Sequence, residues 1–159
     1  MRMTVRELIS LGTISTRDMF SIRRRKNDAS VVRAMELVGL SDLADIDIAR
    51  LSGGQRQRAV IGRALASNAE LLIFDEPLVN VDRSSRNGIL KLLDDLCHNE
   101  NKTLLMVSHD LTAIRQSAHR VIYLDGKIQF DGKTSEIPDL SGLAGLVGLE
   151  HVHKHANQE

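Results

Sequence analysis

The most constraining feature of this chain lies at residues 51–77, where a glycine-containing turn precedes a helical pattern and an apolar run that ends in two acids. Ser52 precedes Gln55 by three residues, which is the capping-box spacing, so a helix is predicted to start at Gly53. Gly53 and Gly54 leave the amides of the first turn uncovered, and such amides at the positive end of a helix dipole bind anions. The pattern therefore predicts a helix tip that binds phosphate.

Two acids follow the predicted helix at the end of an apolar run. Residues 71–74 predict a strand that is buried on both faces of a parallel sheet, and Asp75 and Glu76 come directly after it. Ligands of open parallel sheets bind outside the carboxyl ends of the strands. One carboxylate suits a magnesium ion that bridges phosphate oxygens, and the other can orient or deprotonate an attacking water. The pair predicts hydrolysis of a nucleoside triphosphate.

A second predicted strand, Thr103–Val107, leads to His109. Because the carboxyl ends of parallel strands meet at one edge of a sheet, His109 is expected beside the acid pair. An imidazole in that place can hydrogen-bond a γ-phosphate or its attacking water. Asp110 has the chemistry to cap the following helix. His98 and His119 have no comparable placement and are predicted to be surface residues.

Taken together, these motifs resemble the nucleotide-binding subunit of ABC transporters. The matching stretches are residues 51–55, residues 71–77, Asp82 and residues 106–110, in the order and with the spacing of that family. The resemblance extends over residues 4–137. It implies that ATP and Mg²⁺ are the cofactors and that the chain is an ATPase.

The resemblance also implies a role for each motif. Residues 52–55 (Ser52, Gly53, Gly54 and Gln55) are the signature, which touches the γ-phosphate of ATP bound on an opposing subunit. Asp75 is the Walker B carboxylate that holds Mg²⁺, and Glu76 is the catalytic base. Asp82 is the D-loop acid, although it has the chemistry to be a helix N-cap as well. His109 is the switch histidine.

One departure from the family pattern concerns the phosphate-binding loop. The sequence contains no Gly-x-x-x-x-Gly-Lys-Ser/Thr motif, the element that cradles the β and γ phosphates. The stacking aromatic and the Q-loop glutamine expected before the signature are missing too. The chain is therefore expected to correspond to the C-terminal part of a longer domain. Alone it should hydrolyse negligible ATP, while its signature can complete one site in trans on a complete subunit.

The predicted fold is α/β: part of a RecA-like parallel sheet with flanking helices, preceded by a helical subdomain that leads into the signature. The expected segments are a helical subdomain over residues 1–50, a RecA-like core over residues 51–137 and a tail over residues 138–159. In the first segment, Asp28 is predicted to cap a helix that Gly39 ends.

Two further patterns predict local structure. Residues 13–27 are polar, with a basic cluster at residues 23–26, and predict a loop. Residues 120–124 and 127–130 predict the two strands of a hairpin, and residues 131–132, Asp-Gly, predict the next turn.

The charge balance and the cysteine content exclude several classes of protein. Lysine plus arginine and aspartate plus glutamate number 21 each, so no net charge draws the chain to nucleic acid or to an anionic membrane. Cys97 is the only cysteine, which excludes an internal disulfide. No apolar run in the sequence reaches membrane-spanning length, so membrane association is expected to pass through a partner protein.

The resemblance to this family also implies which partners the chain has. It implies a second ATP-binding subunit in a dimer, an integral membrane permease and, indirectly, a solute-binding protein. No nucleic acid is expected. The implied location is the cytoplasmic face of the cell membrane, as a peripheral subunit.

Three histidines alternate near the end of the chain, at His151, His153 and His155. Neutral imidazoles so placed can share a zinc or similar ion. On chemistry alone, a disordered tail that binds metal only incidentally is an equal alternative. Histidine-ended subunits resemble those of zinc and manganese importers, which favours a transition-metal ion as the transported substrate.

Two other functions compete with the importer ATPase. A non-catalytic regulatory or binding subunit would also lack a phosphate-binding loop, and it would lend its signature in trans. A chromosome-maintenance or DNA-repair ATPase shares the signature and the acidic strand end. Such proteins carry long coiled coils before the signature, and no heptad run occurs here.

Overall fold

The computed structural model describes residues 2–14 and 24–137, and side chains over residues 2–14 and 29–137. The helices are α1 Val5–Ser10, α2 Arg24–Leu37, α3 Gly53–Ala66, α4 Arg83–His98 and α5 Leu111–Ser117. The strands are β1 Leu71–Asp75, β2 Thr103–Val107, β3 Arg120–Asp125 and β4 Lys127–Lys133. Short 3₁₀ helices occupy Leu11–Thr13, Ser41–Leu43, Ile48–Arg50 and Thr134–Glu136. The chain divides into two compact units, Met1–His109 and Asp110–Glu159.

In the first unit, α1 and α2 pack against α3. Their facing side chains form an apolar core that includes the fully buried Ile9, Val38 and Ile61. Gly62 lies at the contact of α3 with its neighbours, since a Cβ added there would lie 2.9 Å from Cδ1 of Ile9 and 3.3 Å from Cγ2 of Val38. A larger residue would require these side chains to shift, so this glycine permits the close packing of the helix that leads from the signature.

The sheet of the first unit has two parallel strands. Leu71 of β1 pairs with Thr103 of β2, and the register continues to Asp75 beside Val107. The amide of Glu76 donates to the carbonyl of Val107 at 2.9 Å, which extends the pairing one residue past the strand. The parallel register therefore brings the carboxyl ends of β1 and β2 together, as the sequence predicts.

Only one face of β1 is buried, so the prediction of a strand buried on both faces is wrong. Leu72 and Phe74 are buried, whereas Leu71 is 52% and Ile73 is 64% exposed. Leu105 and Val107 of β2 are similarly exposed. In the described part of the first unit, side chains pack against one face of the sheet. Helix α4 contributes a row of buried apolar side chains to this core, namely Ile89, Leu90, Leu92, Leu93 and Leu96.

Helix α2 begins earlier than the sequence predicts. It starts at Arg24, so Asp28 lies inside the helix and is not its N-cap, and residues 24–27 are helical where a loop was predicted. Arginine and lysine are good helix formers, which favours this extension. The predicted end is confirmed, because Gly39 has φ +66° and the amide of Leu40 donates back to the carbonyl of Met35 at 2.9 Å.

The second unit contains α5 and an antiparallel hairpin of β3 and β4. Gly126 turns the chain with φ +66°, as predicted, but the predicted turn at Asp131 and Gly132 is wrong, since both lie within β4. Arg120 holds Asp131 in the strand through two hydrogen bonds of 2.8 Å, from Nε and Nη2. These bonds hold the pKa of the Asp131 carboxyl below its ordinary value.

The helices in the described ranges are too short or too polar to cross a bilayer. The longest of them, α4, has 16 residues and carries charged side chains along its exposed face.

Candidate functional site

The tip of α3 is built as the sequence predicts. Ser52 is the N-cap: the amide of Gln55 donates to Oγ of Ser52 at 3.2 Å, and the amide of Ser52 donates to Oε1 of Gln55 at 3.0 Å. The capping box is therefore complete. Ser52 and Gly53 are exposed, whereas Gly54 is buried. This combination presents the first turn of a 14-residue helix to solvent on one side and to protein on the other.

The buried side of the tip rests on the loop that follows β1. A Cβ added at Gly53 would lie 2.8 Å from the carbonyl oxygen of Asn80. One added at Gly54 would lie 2.5 Å from both Cβ and Oγ of Ser85. No local pattern in the sequence points to Asn80 or Ser85, because they lie about thirty positions from the glycines they meet.

At the end of β1, Glu76 is held by His109. Oε1 of Glu76 lies 2.7 Å from Nδ1 of His109 and accepts the backbone amide of the same residue at 3.1 Å. A carboxylate oxygen accepts, so Nδ1 of His109 carries the hydrogen in this pair. Glu76 adopts φ +48°, an uncommon backbone conformation for a residue with a side chain. This conformation lets the chain leave the strand while the carboxylate turns toward His109.

Asp75 ends β1 beside Glu76 and is exposed. Its carboxylate and that of Glu76 supply oxygen ligands of the kind that Mg²⁺ prefers, at an edge open to solvent. The predicted meeting of Asp75, Glu76 and His109 at one edge of the sheet agrees with the parallel register of β1 and β2. The sequence does not indicate that Oε1 of Glu76 forms hydrogen bonds with both Nδ1 and the backbone amide of His109.

The loop from Glu76 to Asp82 is anchored by apolar side chains. Pro77, Leu78 and Val81 are buried, and the amide of Val79 donates to the carbonyl of Glu76 at 3.2 Å. Asn80 takes φ +60° and turns its carbonyl toward the tip of α3. The loop therefore has a defined path between the acid pair and α4.

Asp82 closes this loop as the N-cap of α4, as predicted. Its Oδ1 accepts the amide of Ser85 at 2.9 Å and also the hydroxyl of Ser84. The hydroxyl of Ser84 and the donors of Ser85 hold the pKa of Asp82 well below its ordinary value. Asp82 is therefore ionised over the whole physiological pH range, and it caps α4 as an anion at the positive end of the helix dipole.

The remaining predicted residues fall into three groups. Asp110 caps α5, since its Oδ1 accepts the amides of Thr112 and Ala113 at 3.1 Å each. His98 and His119 are exposed, as predicted. The three histidines of the tail lie outside the described residues, namely His151, His153 and His155.

Comparison with known protein families gives a consistent result. A family model described as ABC transporter matches residues 1–79. The chain is 38% identical over 133 residues to the zinc uptake system ATP-binding protein ZurA of Listeria monocytogenes, covering 84% of this chain and 52% of that protein. It is 35% identical over 147 residues to the ferric enterobactin transport ATP-binding protein FepC of Escherichia coli, covering 92% and 54%.

A third relative is named for the import of a different substrate. The chain is 41% identical over 115 residues to the thiamine import ATP-binding protein ThiQ of Yersinia pestis, covering 71% of this chain and 49% of that protein. The chain thus spans about half the length of the curated relatives it matches.

Solved structures show the same fold. A metal-chelate type ABC transporter in an inward-facing conformation superposes with a TM-score of 0.81 at 28% identity, over 91% of this chain and 58% of that one. The dimeric bacterial ABC transporter cassette MJ0796 gives a TM-score of 0.62 at 30% identity, over 83% and 57%. With the signature helix, the acid pair and the histidine in place, the chain belongs to the family of ABC transporter ATP-binding proteins.

Proposed function

We propose that this chain is an ATP-hydrolysing component of an ABC importer that supplies the signature to an ATP site shared with a second subunit. The observation that carries the proposal is the geometry of the first unit. It presents a capped helix tip at Ser52, and it holds Glu76 against His109 where the parallel strands end. Both features are of the kind that bind and cleave a phosphate chain.

Within this proposal, each residue has a separate role. Asp75 would hold Mg²⁺, which would supply positive charge to stabilise the phosphates during hydrolysis. Glu76 orients the attacking water and accepts its proton. His109 positions the carboxylate of Glu76 through Nδ1. It would also hydrogen-bond the γ-phosphate. Asp82 holds the D-loop in place by capping α4.

These 159 residues contain a signature and an acid pair, and no phosphate-binding loop motif occurs among them. A second ATP-binding subunit brings that loop to the tip of α3. In support, the similar cassette MJ0796 forms a dimer. We further propose a membrane permease as the partner of the pair, with a solute-binding protein acting through the permease. The proposed location is the cytoplasmic face of the membrane.

The assignment of Asp75 is tested with manganese, which takes the place of Mg²⁺ and broadens nearby NMR resonances. With ATP and a low concentration of Mn²⁺ added to the ¹⁵N-labelled chain, the amide resonances of Asp75, Glu76 and His109 should broaden first. Asp75→Asn should weaken this binding about tenfold or more, because it removes a charged ligand. The variant Asp42→Asn, which changes an exposed aspartate elsewhere in the first unit, should not. Equal broadening at all exposed carboxylates would refute the site.

The transported substrate we propose is a transition-metal ion. Support comes from the similarity to ZurA, a zinc uptake system ATP-binding protein, and from the alternating histidines of the tail. Calorimetric titration of the whole chain with Zn²⁺ should give micromolar or tighter binding. Replacing the middle imidazole in His153→Ala should weaken it about tenfold, since each imidazole is a direct ligand. Unchanged binding in this variant would make an organic substrate, such as the thiamine for which ThiQ is named, the better proposal.

A further inference from the structure

We infer that Ser85 is a positioning residue for the signature, and that it fixes the tip of α3 against the loop that begins at Glu76. The inference rests on the proposed function, because it assigns Ser85 a role in placing groups that meet ATP. Ser85 itself touches neither phosphate nor metal in this arrangement.

The side chain of Ser85 lies nearest to the position that a Cβ of residue 54 would occupy. A Cβ added at Gly54 would lie 2.5 Å from Cβ and Oγ of Ser85, but 3.8 Å from its Cα, which is ordinary van der Waals contact. The neighbouring contact is different in kind, because a Cβ at Gly53 would meet the backbone oxygen of Asn80. The space beside Gly54 is therefore occupied by the side chain of Ser85, and the space beside Gly53 is occupied by the main chain of Asn80.

Ser85 is itself held firmly. Its amide donates to Oδ1 of Asp82 at 2.9 Å and to the carbonyl of Asp82 at 3.1 Å, in the first turn of α4. One turn further along, Ile89 is fully buried and anchors that helix in the core. A contact with Ser85 is thus a contact with a helix that is anchored in the core, so a shift of the tip of α3 toward Ser85 would disturb α4.

The same loop carries the acid pair. Six residues join Glu76 to Arg83, where α4 begins, and three of them, Pro77, Leu78 and Val81, are buried. In a shared-site arrangement, the signature of one subunit serves one ATP and its Glu76 serves the other. The contact of Ser85 with Gly54 therefore links the two sites within a single chain.

Two explanations of the glycine at position 54 make opposite predictions. If Gly54 is needed only because phosphate approaches it, then the effect of Gly54→Ala does not depend on the residue at position 85. If Gly54 is needed because Ser85 fills the space, then Gly54→Ala disturbs the tip of α3 and Ser85→Gly restores it, since the nearest remaining atom of residue 85 is its Cα at 3.8 Å. Gly53→Ala is the matched control, because its obstacle is a backbone carbonyl that no change at position 85 removes.

The test uses amide hydrogen exchange of the whole chain, without nucleotide. The probe is the amide of Gln55, which donates to Ser52 Oγ in the capping box. In Gly54→Ala its exchange should accelerate about tenfold or more, because local opening exposes the tip. The double variant Gly54→Ala/Ser85→Gly should return to within about twofold of the parent, whereas Gly53→Ala/Ser85→Gly should stay fast. Amide shifts at Glu76 and His109 should move and recover in parallel.

A second arm covers the case in which Gly54→Ala does not fold. Ser85→Gly alone removes the contact without a clash and should accelerate exchange at Gln55 several-fold, while Asn87→Gly, at an exposed position of the same helix, should not. Failure of the double variant to recover, or equal effects of Ser85→Gly and Asn87→Gly, overturns the inference. Because no nucleotide is added, either result is independent of whether Asp75 binds metal with ATP.

Discussion

Replacing Ser52 with arginine should abolish the ATP turnover that this chain confers on a complete ABC cassette, whereas Glu76→Gln should leave that turnover intact. In a shared site, the tip at Ser52 meets nucleotide held by the partner, which supplies its own acid pair. Glu76 serves the opposite site, for which these 159 residues contain no phosphate-binding loop motif. Loss of oriented amide donors at a phosphate lowers turnover about 100-fold or more.

The assay mixes the purified chain with a complete cassette whose own signature has been inactivated, so that phosphate release depends on the chain added. Ser41→Arg introduces the same charge at an exposed serine in the same unit and is the matched control. The chain alone should release no phosphate above the buffer rate. Magnesium-dependent turnover by the isolated chain that Glu76→Gln removes would contradict the shared-site proposal. Binding to the cassette without turnover would favour a regulatory subunit.

Replacement by alanine should change the free energy of unfolding by very different amounts at two isoleucines of the first unit. Ile89→Ala should lower the free energy of unfolding by about 2–5 kcal/mol, because it leaves a cavity in a fully buried stripe of α4. Ile73→Ala should change it by less than about 0.5 kcal/mol, since that side chain is 64% exposed on the open face of β1. Urea titration followed by circular dichroism measures both.

Ile73→Thr extends the comparison to solubility. Threonine keeps β-branching, so strand propensity is retained while an exposed apolar side chain is removed. It should raise the soluble yield with little change in the denaturation midpoint, because large exposed apolar patches promote association. Equal stability losses for Ile73→Ala and Ile89→Ala would mean that the open face of β1 is covered in solution.

Local rules predicted the ends of the helices well. Ser52, Asp82 and Asp110 each cap a helix as expected, and Gly39 ends α2. Caps depend on atoms within four residues of one another, so the residues that form a cap are close together in the sequence. The exception is Asp28, where the helix starts earlier because nothing in the sequence between residues 24 and 28 stops it.

Predictions that depend on distant neighbours were less complete. The Asp-Gly pair at residues 131–132 has the composition of a turn, yet cross-strand pairing with Ile122 and Val121 holds it in β4. The side chain of Arg120 adds two hydrogen bonds to the carboxylate of Asp131. The apolar run at residues 71–74 is typical of a fully buried strand, and its sequence cannot tell how many of its faces will be covered. In each case tertiary contacts override a local preference.

The sequence by itself determined the order of the motifs, the capped helix tip at Ser52 and the placing of Asp75, Glu76 and His109 at strand ends, because these follow from short-range chemistry and from the direction of parallel strands. Only the tertiary structure decided that one oxygen of Glu76 takes both donors of His109, and that Gly54 packs on Ser85. Those contacts join residues about thirty positions apart, and their distances depend on how the sheet and α4 pack together.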